Sequence, residues 1–103
     1  MQGFLLTFFT QSNRCCEEKP VSEWLIDQAR EIGARGATVF SGMEGFGHDG
    51  HLHSEGYFNL DDNPRQIVMA LTPEESEQLF SRIKKAKLQI FYTKAHIEFG
   101  LTD

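Results

Sequence analysis

Four short apolar runs and two segments with helical spacing, alternating in a fixed order, decide which folds this chain can adopt. The first run, residues 4–9, is rich in phenylalanine and leucine and lies between Gly3 and a polar stretch, which is typical of a buried strand. Residues 36–40, 67–71 and 88–93 repeat that pattern, and residues 94–103 are predicted to form a tail. At 103 residues the chain has room for a single domain over residues 1–103.

The two helical segments carry boundary signals. Pro20 suits a first helical turn, and Gly33 is a suitable C-terminal cap, so the spacing predicts a helix over residues 20–32. Thr72 and Glu75 form a capping-box pattern around Pro73, which predicts the start of a second helix. The apolar residues that recur along the two helices are Val21, Leu25, Ala29 and Ile32 in the first, and Leu79, Phe80, Ile83 and Ala86 in the second.

The resulting order, β-α-β-β-α-β, predicts an α+β, ferredoxin-like fold in which both helices cover one face of an antiparallel sheet. Between the second and third strands lies a longer connection. We expect residues of about 47–54 to form a mobile loop, because Gly45, Gly47 and Gly50 restrain the backbone little and Leu52 alone can anchor it. An extended arm or short strand over residues 53–60 and a turn over residues 61–64 follow.

Strand alternation divides the apolar side chains into two faces. One set suits packing under the helices: Phe4, Leu6, Phe8, Val39, Ile67, Met69, Leu71, Leu88 and Ile90. The other set faces away from them: Leu5, Phe9, Phe40, Val68, Ala70 and Phe91. A soluble monomer rarely exposes such a patch, so the sequence predicts oligomerisation through the open face of the sheet.

Composition narrows the function classes. The formal net charge of −5 disfavours a nucleic-acid-binding protein, which needs a basic face. The chain has no apolar run of the length that crosses a membrane, so we expect no direct membrane insertion, and residues 1–14 lack the features of a signal peptide. Cys15 and Cys16 are two adjacent cysteines, which do not make a disulfide framework. A cytoplasmic protein is the expectation that remains.

The densest polar cluster is the glycine- and histidine-rich stretch 45–53. His48, His51 and His53 could ligate a divalent metal, or they could be solvated surface residues. The glycine spacing matches a dinucleotide fingerprint, but no helix pattern follows it, so we discount a Rossmann site.

Lys84, Lys85 and Lys87 end the second helix, where cations suit the helix dipole and could also bind a phosphate. No nucleophile elbow and no P-loop is present, and the sequence predicts a non-enzymatic protein.

Three stretches together carry a family resemblance. Residues 20–25 (PVSEWL), 32–39 (IGARGATV) and 44–47 (EGFG) resemble the nitrogen-regulatory PII signalling proteins, and the short PII-like branch of that superfamily in particular. The resemblance implies a ferredoxin-like subunit in a homotrimer that binds adenine nucleotides in clefts between subunits. It also implies that the 47–54 loop contacts a membrane or cytosolic target protein. The residues that it places at the cleft are Gly36, Thr38, Gly45, Phe46 and Gly47.

The chain departs from the PII pattern before its last strand. PII proteins have a Gly-Asp-Gly-Lys loop there, whereas this chain has Lys84-Lys85-Ala86-Lys87-Leu88, so these lysines are the candidates to replace that loop. The expected function is a regulatory protein that senses a small effector, with an adenine nucleotide as one candidate. The alternative is a trimeric divalent-metal tolerance protein of the CutA type that uses His48, His51 and His53.

Overall fold

The structure is a computed structural model that describes residues 1–42, 44–46, 52–54 and 63–103. Its elements, in chain order, are β1 (Gln2–Gln11), β2 (Cys15–Cys16), β3 (Lys19–Pro20), α1 (Val21–Glu31), β4 (Ala37–Ser41), β5 (Glu44–Phe46), β6 (Leu52–Ser54), β7 (Pro64–Leu71), α2 (Pro73–Lys85) and β8 (Phe91–Glu98). Residues 47–51, most of the predicted mobile loop, lie outside the described part of the chain, and residues 52–54 pair with β5 as β6.

Four strands form the main sheet in the order β4-β7-β1-β8, and every neighbouring pair is antiparallel. With the helices inserted, the order of the main elements is β-α-β-β-α-β. This confirms the predicted ferredoxin-like fold. The central strands are β7 and β1, so β4 and β8 are the two edges of the sheet.

The core lies between the sheet and the helices. The predicted division of the sheet into two faces is confirmed. Leu6, Phe8 and Ile67 are fully buried under the helices, whereas Phe40 and Phe91 are about half exposed on the other face. The remaining core side chains are Val21, Trp24, Leu25, Ala29, Met69, Leu71, Leu79 and Ile83.

Polar contacts fix the two helices against each other. Arg82 of α2 donates to Gln28 Oε1 at 2.9 Å and to Glu31 Oε1 at 3.0 Å, both on α1. The capping box of α2 is present, with Glu75 N–H donating to Thr72 Oγ1 at 3.2 Å and Thr72 N–H donating to Glu75 Oε1 at 2.9 Å. These bonds satisfy two of the backbone donors that a helix N-terminus leaves without partners.

The prediction for the last strand is wrong in register and extent. Residues 88–90 precede β8, and residues 94–98, predicted as a tail, belong to it. Leu88 belongs to the C-terminal cap of α2, because its N–H donates to Ile83 O at 3.2 Å. The strand therefore begins after the predicted start. Lys94 then pairs with Leu6, and His96 pairs with Phe4, along the free side of β1.

The segment before α1 is a tight hairpin. Cys15 and Cys16 of β2 pair with Pro20 and Lys19 of β3, and both thiols are free. The turn between them places Glu17 and Glu18 in the left-handed region, at φ 53° and 66°. Two successive positive φ values are the geometry of a type I′ turn, which normally selects Asn-Gly.

Candidate functional site

The predicted cleft residues lie on opposite edges of the sheet. Gly36 precedes β4 and Thr38 is exposed on it, paired with Val68 of β7. Lys84, Lys85 and Lys87 lie where α2 leads into β8. Because β7 and β1 separate the two edges, β4 and β8 are about 14 Å apart at the usual strand spacing. A single chain therefore does not bring the two groups of predicted residues together.

The glycine-rich stretch is described only in part. In β5, Gly45 pairs with His53 and Phe46 pairs with Leu52 of β6. Gly47, His48 and His51 lie outside the described part of the chain. Within the ranges that the structure does describe, no group of three or more metal-ligating side chains is found.

Lys87 adopts an unusual backbone conformation at the end of α2. Its φ is 58°, its N–H donates to Lys84 O at 3.0 Å, and the following Leu88 N–H donates to Ile83 O at 3.2 Å. This pair of bonds is a Schellman motif with Lys87 at the position that usually carries glycine. Helix α1 ends in the same motif with Gly33 at that position, at φ 90°. The sequence shows that this connection has no glycine. It does not show that Lys87 adopts the left-handed conformation that glycine usually adopts there.

An apolar cavity lies beside these lysines, between the C-terminal half of α2 and the start of β8. Its volume is about 550 Å³. Its lining is mostly aromatic and aliphatic, with Lys84 as the one cationic residue: Phe8, Phe80, Ile83, Lys84, Leu88, Gln89, Ile90, Phe91 and Tyr92. Apolar walls with a cation at the edge can accept a planar, apolar group that carries a negative charge.

A second, more polar cavity of about 380 Å³ lies along the same helix, towards its N-terminus. Pro73, Ser76, Glu77, Phe80, Tyr92 and Lys94 line it. Lys94 Nζ lies 4.1 Å from the centre of the Phe4 ring and 5.6 Å from that of Phe80. Sequence reasoning missed this cavity because it placed Lys94 in a tail. The alternation of polar and apolar residues over 93–98 was the available signal.

Two titratable groups near the β2–β3 hairpin are perturbed. Burial raises the pKa of the Cys16 thiol, and the negative charge of Glu17 raises it further. A hydrogen bond to Asp27 at 2.7 Å raises the pKa of Lys19. Both groups are distant in sequence from the lysines of α2. Neither Cys16 nor Lys19 lines either of the two cavities. They are features of the hairpin and not of the candidate site.

Solved structures with similar folds include PII-like proteins and a divalent cation tolerance protein. A protein described as a PII-like signalling protein, from Thermus thermophilus, aligns with a TM-score of 0.69 at 12% identity, over 94% of this chain and 88% of that one. CPII, a nitrogen regulatory PII-like protein from Thiomonas intermedia bound to ADP, AMP and bicarbonate, aligns at 0.63 and 20%, over 94% and 89%. The periplasmic divalent cation tolerance protein CutA from Archaeoglobus fulgidus aligns at 0.62 and 15%, over 99% and 89%. At these identities the likeness establishes the fold.

Sequence comparison supplies the family. A UPF0166 protein of Aquifex aeolicus is 30% identical over 94 residues, which are 91% of this chain and 90% of that protein. No helix in the described ranges is long and apolar enough to cross a membrane. The sequence profile of DUF190, described as an uncharacterized ACR family, matches residues 3–98. The chain therefore belongs to the DUF190 family, and its fold confirms the predicted resemblance to PII-like signalling proteins.

Proposed function

We propose that this protein is a non-enzymatic, PII-like regulatory protein whose effector, an adenine nucleotide, binds in clefts between the subunits of a homotrimer. The observation that carries the proposal is the position of the predicted cleft residues on opposite edges of one sheet. Such residues can meet only when the β4 edge of one copy approaches the β8 edge of another. The presence of ADP and AMP in the structurally similar CPII supports a nucleotide as the effector.

The open face of the sheet supports self-association. Leu5, Phe40 and Phe91 are 39%, 54% and 53% exposed there. The rings of Phe9 and Phe91 lie 5.6 Å apart on adjacent strands, so they form a continuous aromatic surface. Burying each of these large side chains would contribute about 1.5–3 kcal/mol, which favours a copy of the same surface as the cover.

The two sheet edges support a closed ring. The outer sides of β4 and β8 have no strand partner among the described residues. Pairing one edge with the other is a heterologous contact, and such a contact forms a ring when its rotation closes. This pairing also covers both edges, which protects them from uncontrolled aggregation. It would bring the edge that carries Gly36 and Thr38 in one subunit against the edge whose strand follows the lysines in the next.

The chemistry of the cleft suits a nucleotide. The apolar cavity beside α2 offers Phe80 and Tyr92 as surfaces for a planar base. Lys84, Lys85 and Lys87 supply cations for the phosphates, which an acidic protein must provide locally. We assign the backbone N–H groups of Gly45, Phe46 and Gly47 the remaining phosphate contacts, and the 47–54 segment the contact with the regulated protein.

A second candidate function is divalent-metal binding of the CutA type. The observation that favours it is the fold likeness to CutA, which extends over 99% of this chain. His48, His51 and His53 would be the ligands. Zinc or copper binding at micromolar concentration that is lost in a His51→Ala/His53→Ala variant would support it.

The oligomeric state is the first test. Light scattering should return three times the 11.8 kDa of one chain. Phe91→Glu should dissociate the assembly, because a buried charge without a partner costs several kcal/mol. Leu101→Glu is the matched control, since Leu101 is 95% exposed outside that face. A monodisperse wild-type monomer at micromolar concentration would contradict the trimer.

Ligand binding is the second test, by titration calorimetry with ATP, ADP and AMP. Removing one contacting lysine, as in Lys84→Met, should weaken binding by about 1.5–3 kcal/mol, the range for a charged hydrogen bond. Gly47→Val should abolish binding by blocking the approach of the backbone. Lys19→Met is the control, because Lys19 is paired with Asp27 in the hairpin. If no nucleotide binds below millimolar concentration, the nucleotide proposal is refuted.

A further inference from the structure

The polar cavity near the N-terminus of α2 contains a cation and an anion that do not pair with each other. Lys94 of β8 and Glu77 of α2 both line it. Among the described side chains, neither residue has a salt-bridge partner within 4.0 Å. A cavity lined by one cation and one anion that do not pair with each other is complementary to a ligand that carries both a negative and a positive charge.

The lysine is held in place by aromatic rings. Its ammonium group lies over Phe4 at 4.1 Å and within 5.6 Å of the centre of Phe80, so two cation–π contacts restrict its position. Tyr92, whose ring is 4.8 Å from that of Phe80, forms the adjoining wall. The cation is therefore preorganised and, among the described residues, has no carboxylate within 4.0 Å to neutralise it, which lowers the cost of binding one from a ligand.

A buried hydroxyl of the same cavity also lacks a partner in the described part of the chain. Ser76 is 1% exposed, and its Oγ, although inaccessible to solvent, forms no hydrogen bond with any described residue. Leaving a buried polar group unsatisfied is unfavourable, and such groups normally have a partner. Ser76 lines the cavity, and a change of its χ1 rotamer would present the hydroxyl to a molecule seated there.

We propose that this cavity binds a zwitterionic amino acid with an apolar side chain. Lys94 and Ser76 would hold the carboxylate, Glu77 would hold the ammonium group, and the rings of Phe80 and Tyr92 would contact the side chain. The cavity volume of about 380 Å³ is sufficient for a molecule of this size.

The polar groups of this site differ from those of the proposed nucleotide site, although Phe80 and Tyr92 border both cavities. Lys94 pairs with Leu6, so its side chain lies on the helix side of the sheet. The open face carries the alternate residues of β8, including Phe91. The lysines assigned to the nucleotide lie at the other end of α2, Lys84 and Lys85 in its last turn and Lys87 just after it. The charged groups assigned to the amino acid are therefore not those assigned to the nucleotide.

The test is calorimetry on the full chain with L-leucine and two fragments of it, 4-methylpentanoate, which lacks the amine, and isoamylamine, which lacks the carboxylate. L-Leucine should bind at least about tenfold more tightly than either fragment, as expected when each charge is recognised. Lys94→Met should weaken leucine binding by at least about tenfold and leave isoamylamine favoured over 4-methylpentanoate. Glu77→Gln should have the opposite preference.

Ser76→Ala separates binding from folding. It removes an unsatisfied buried hydroxyl, so the variant should be as stable as the wild type or more stable, while its affinity for leucine falls. Absence of leucine binding at millimolar concentration, or unchanged leucine affinity in both charge variants, would overturn the proposal. Lys84→Met should lower nucleotide affinity and leave leucine affinity unchanged, whereas Lys94→Met should lower leucine affinity and leave nucleotide affinity unchanged, so failure of one proposal does not resemble failure of the other.

Discussion

Lys87 occupies a position where glycine would be more stable, and replacing it with glycine tests both the fold and the site. A residue with a Cβ in the left-handed region costs about 1–2 kcal/mol relative to its ordinary conformation. Lys87 has φ 58°, with both Schellman hydrogen bonds formed. Glycine removes that cost but gives back about 0.5–1 kcal/mol through its greater freedom in the unfolded chain. We expect Lys87→Gly to stabilise the protein by about 1 kcal/mol.

The comparison variant is Lys87→Ala, which removes the same charge and keeps the Cβ. The difference between the two variants isolates the backbone contribution to the free energy of unfolding. Urea denaturation at one fixed protein concentration should be used, because the stability of an oligomer depends on concentration. A gain of about 1 kcal/mol corresponds to a rise in Tm of roughly 4 °C for a domain of this size.

The reverse substitution, glycine to a residue with a Cβ, can be made at Gly33, which has the equivalent position at the end of α1. Its φ is 90°, and a Cβ built there would meet only Glu75 Oε2, at 4.0 Å. Gly33→Ala should therefore destabilise the protein by about 1 kcal/mol through backbone strain alone. If Lys87→Gly is no more stable than Lys87→Ala while Gly33→Ala is destabilised, the account of Lys87 is refuted.

Nucleotide affinity supplies a second readout on the same variants. Lys87→Gly and Lys87→Ala should lose the same affinity for ATP, because both lose the ammonium group. Stability would then follow the backbone while affinity follows the charge. That outcome would explain why a strained lysine stands where glycine is favoured, since strained residues tend to cluster at functional sites.

Three further predictions concern other parts of the fold. Glu18→Gly should raise the urea midpoint by an amount equivalent to about 1 kcal/mol, because Glu18 has φ 66°, whereas Glu17→Gly should gain less, since Glu17 accepts from Trp24 Nε1 at 2.9 Å. Gly3→Ala should lower thermal stability by about 1–3 kcal/mol, because a Cβ there would lie 2.2 Å from a backbone carbonyl oxygen, and an unchanged Tm would contradict that packing. Iodoacetamide should modify exposed Cys15 before Cys16, with mass spectrometry as the readout, and equal rates at neutral pH would argue against the burial of Cys16. Because the pKa of Cys16 is raised in the folded state, its neutral thiol stabilises the fold at neutral pH, and that contribution decreases as the pH rises above the thiol pKa of the unfolded chain.

Local sequence signals were enough to predict most of the fold. Thr72, Pro73 and Glu75 predicted the start of α2, because the capping box satisfies backbone donors with groups three residues away. Gly33 predicted the end of α1 for a similar reason, since its conformation depends on the residue itself. Features that depend on neighbours in sequence are the ones that sequence reasoning recovers.

The last strand needed information from elsewhere in the chain. Residues 91–98 are mostly exposed, and because polar residues interrupt the apolar ones over 93–98, no continuous apolar run marks this strand. Their position depends on pairing with β1 and on the helix ending at Lys87, which displaces the strand start to Phe91. The polar cavity was missed for the same reason, because it forms only when Lys94 lies opposite Leu6.

The corrected strand strengthens the argument for self-association. With β8 extended to Glu98, Ala95 lies opposite Leu5 and Thr93 lies opposite Thr7, so the open face continues along β8 beyond the phenylalanines. The alternate residues, Lys94 and His96, stay on the helix side. The polar character of residues 94–98 therefore belongs to one side of the strand only. Its other side extends the surface that we propose is covered by a second copy, so Ala95→Glu should dissociate the assembly as Phe91→Glu does, whereas His96→Glu should leave its mass unchanged. Equal dissociation by both substitutions would show that this assignment of faces is wrong.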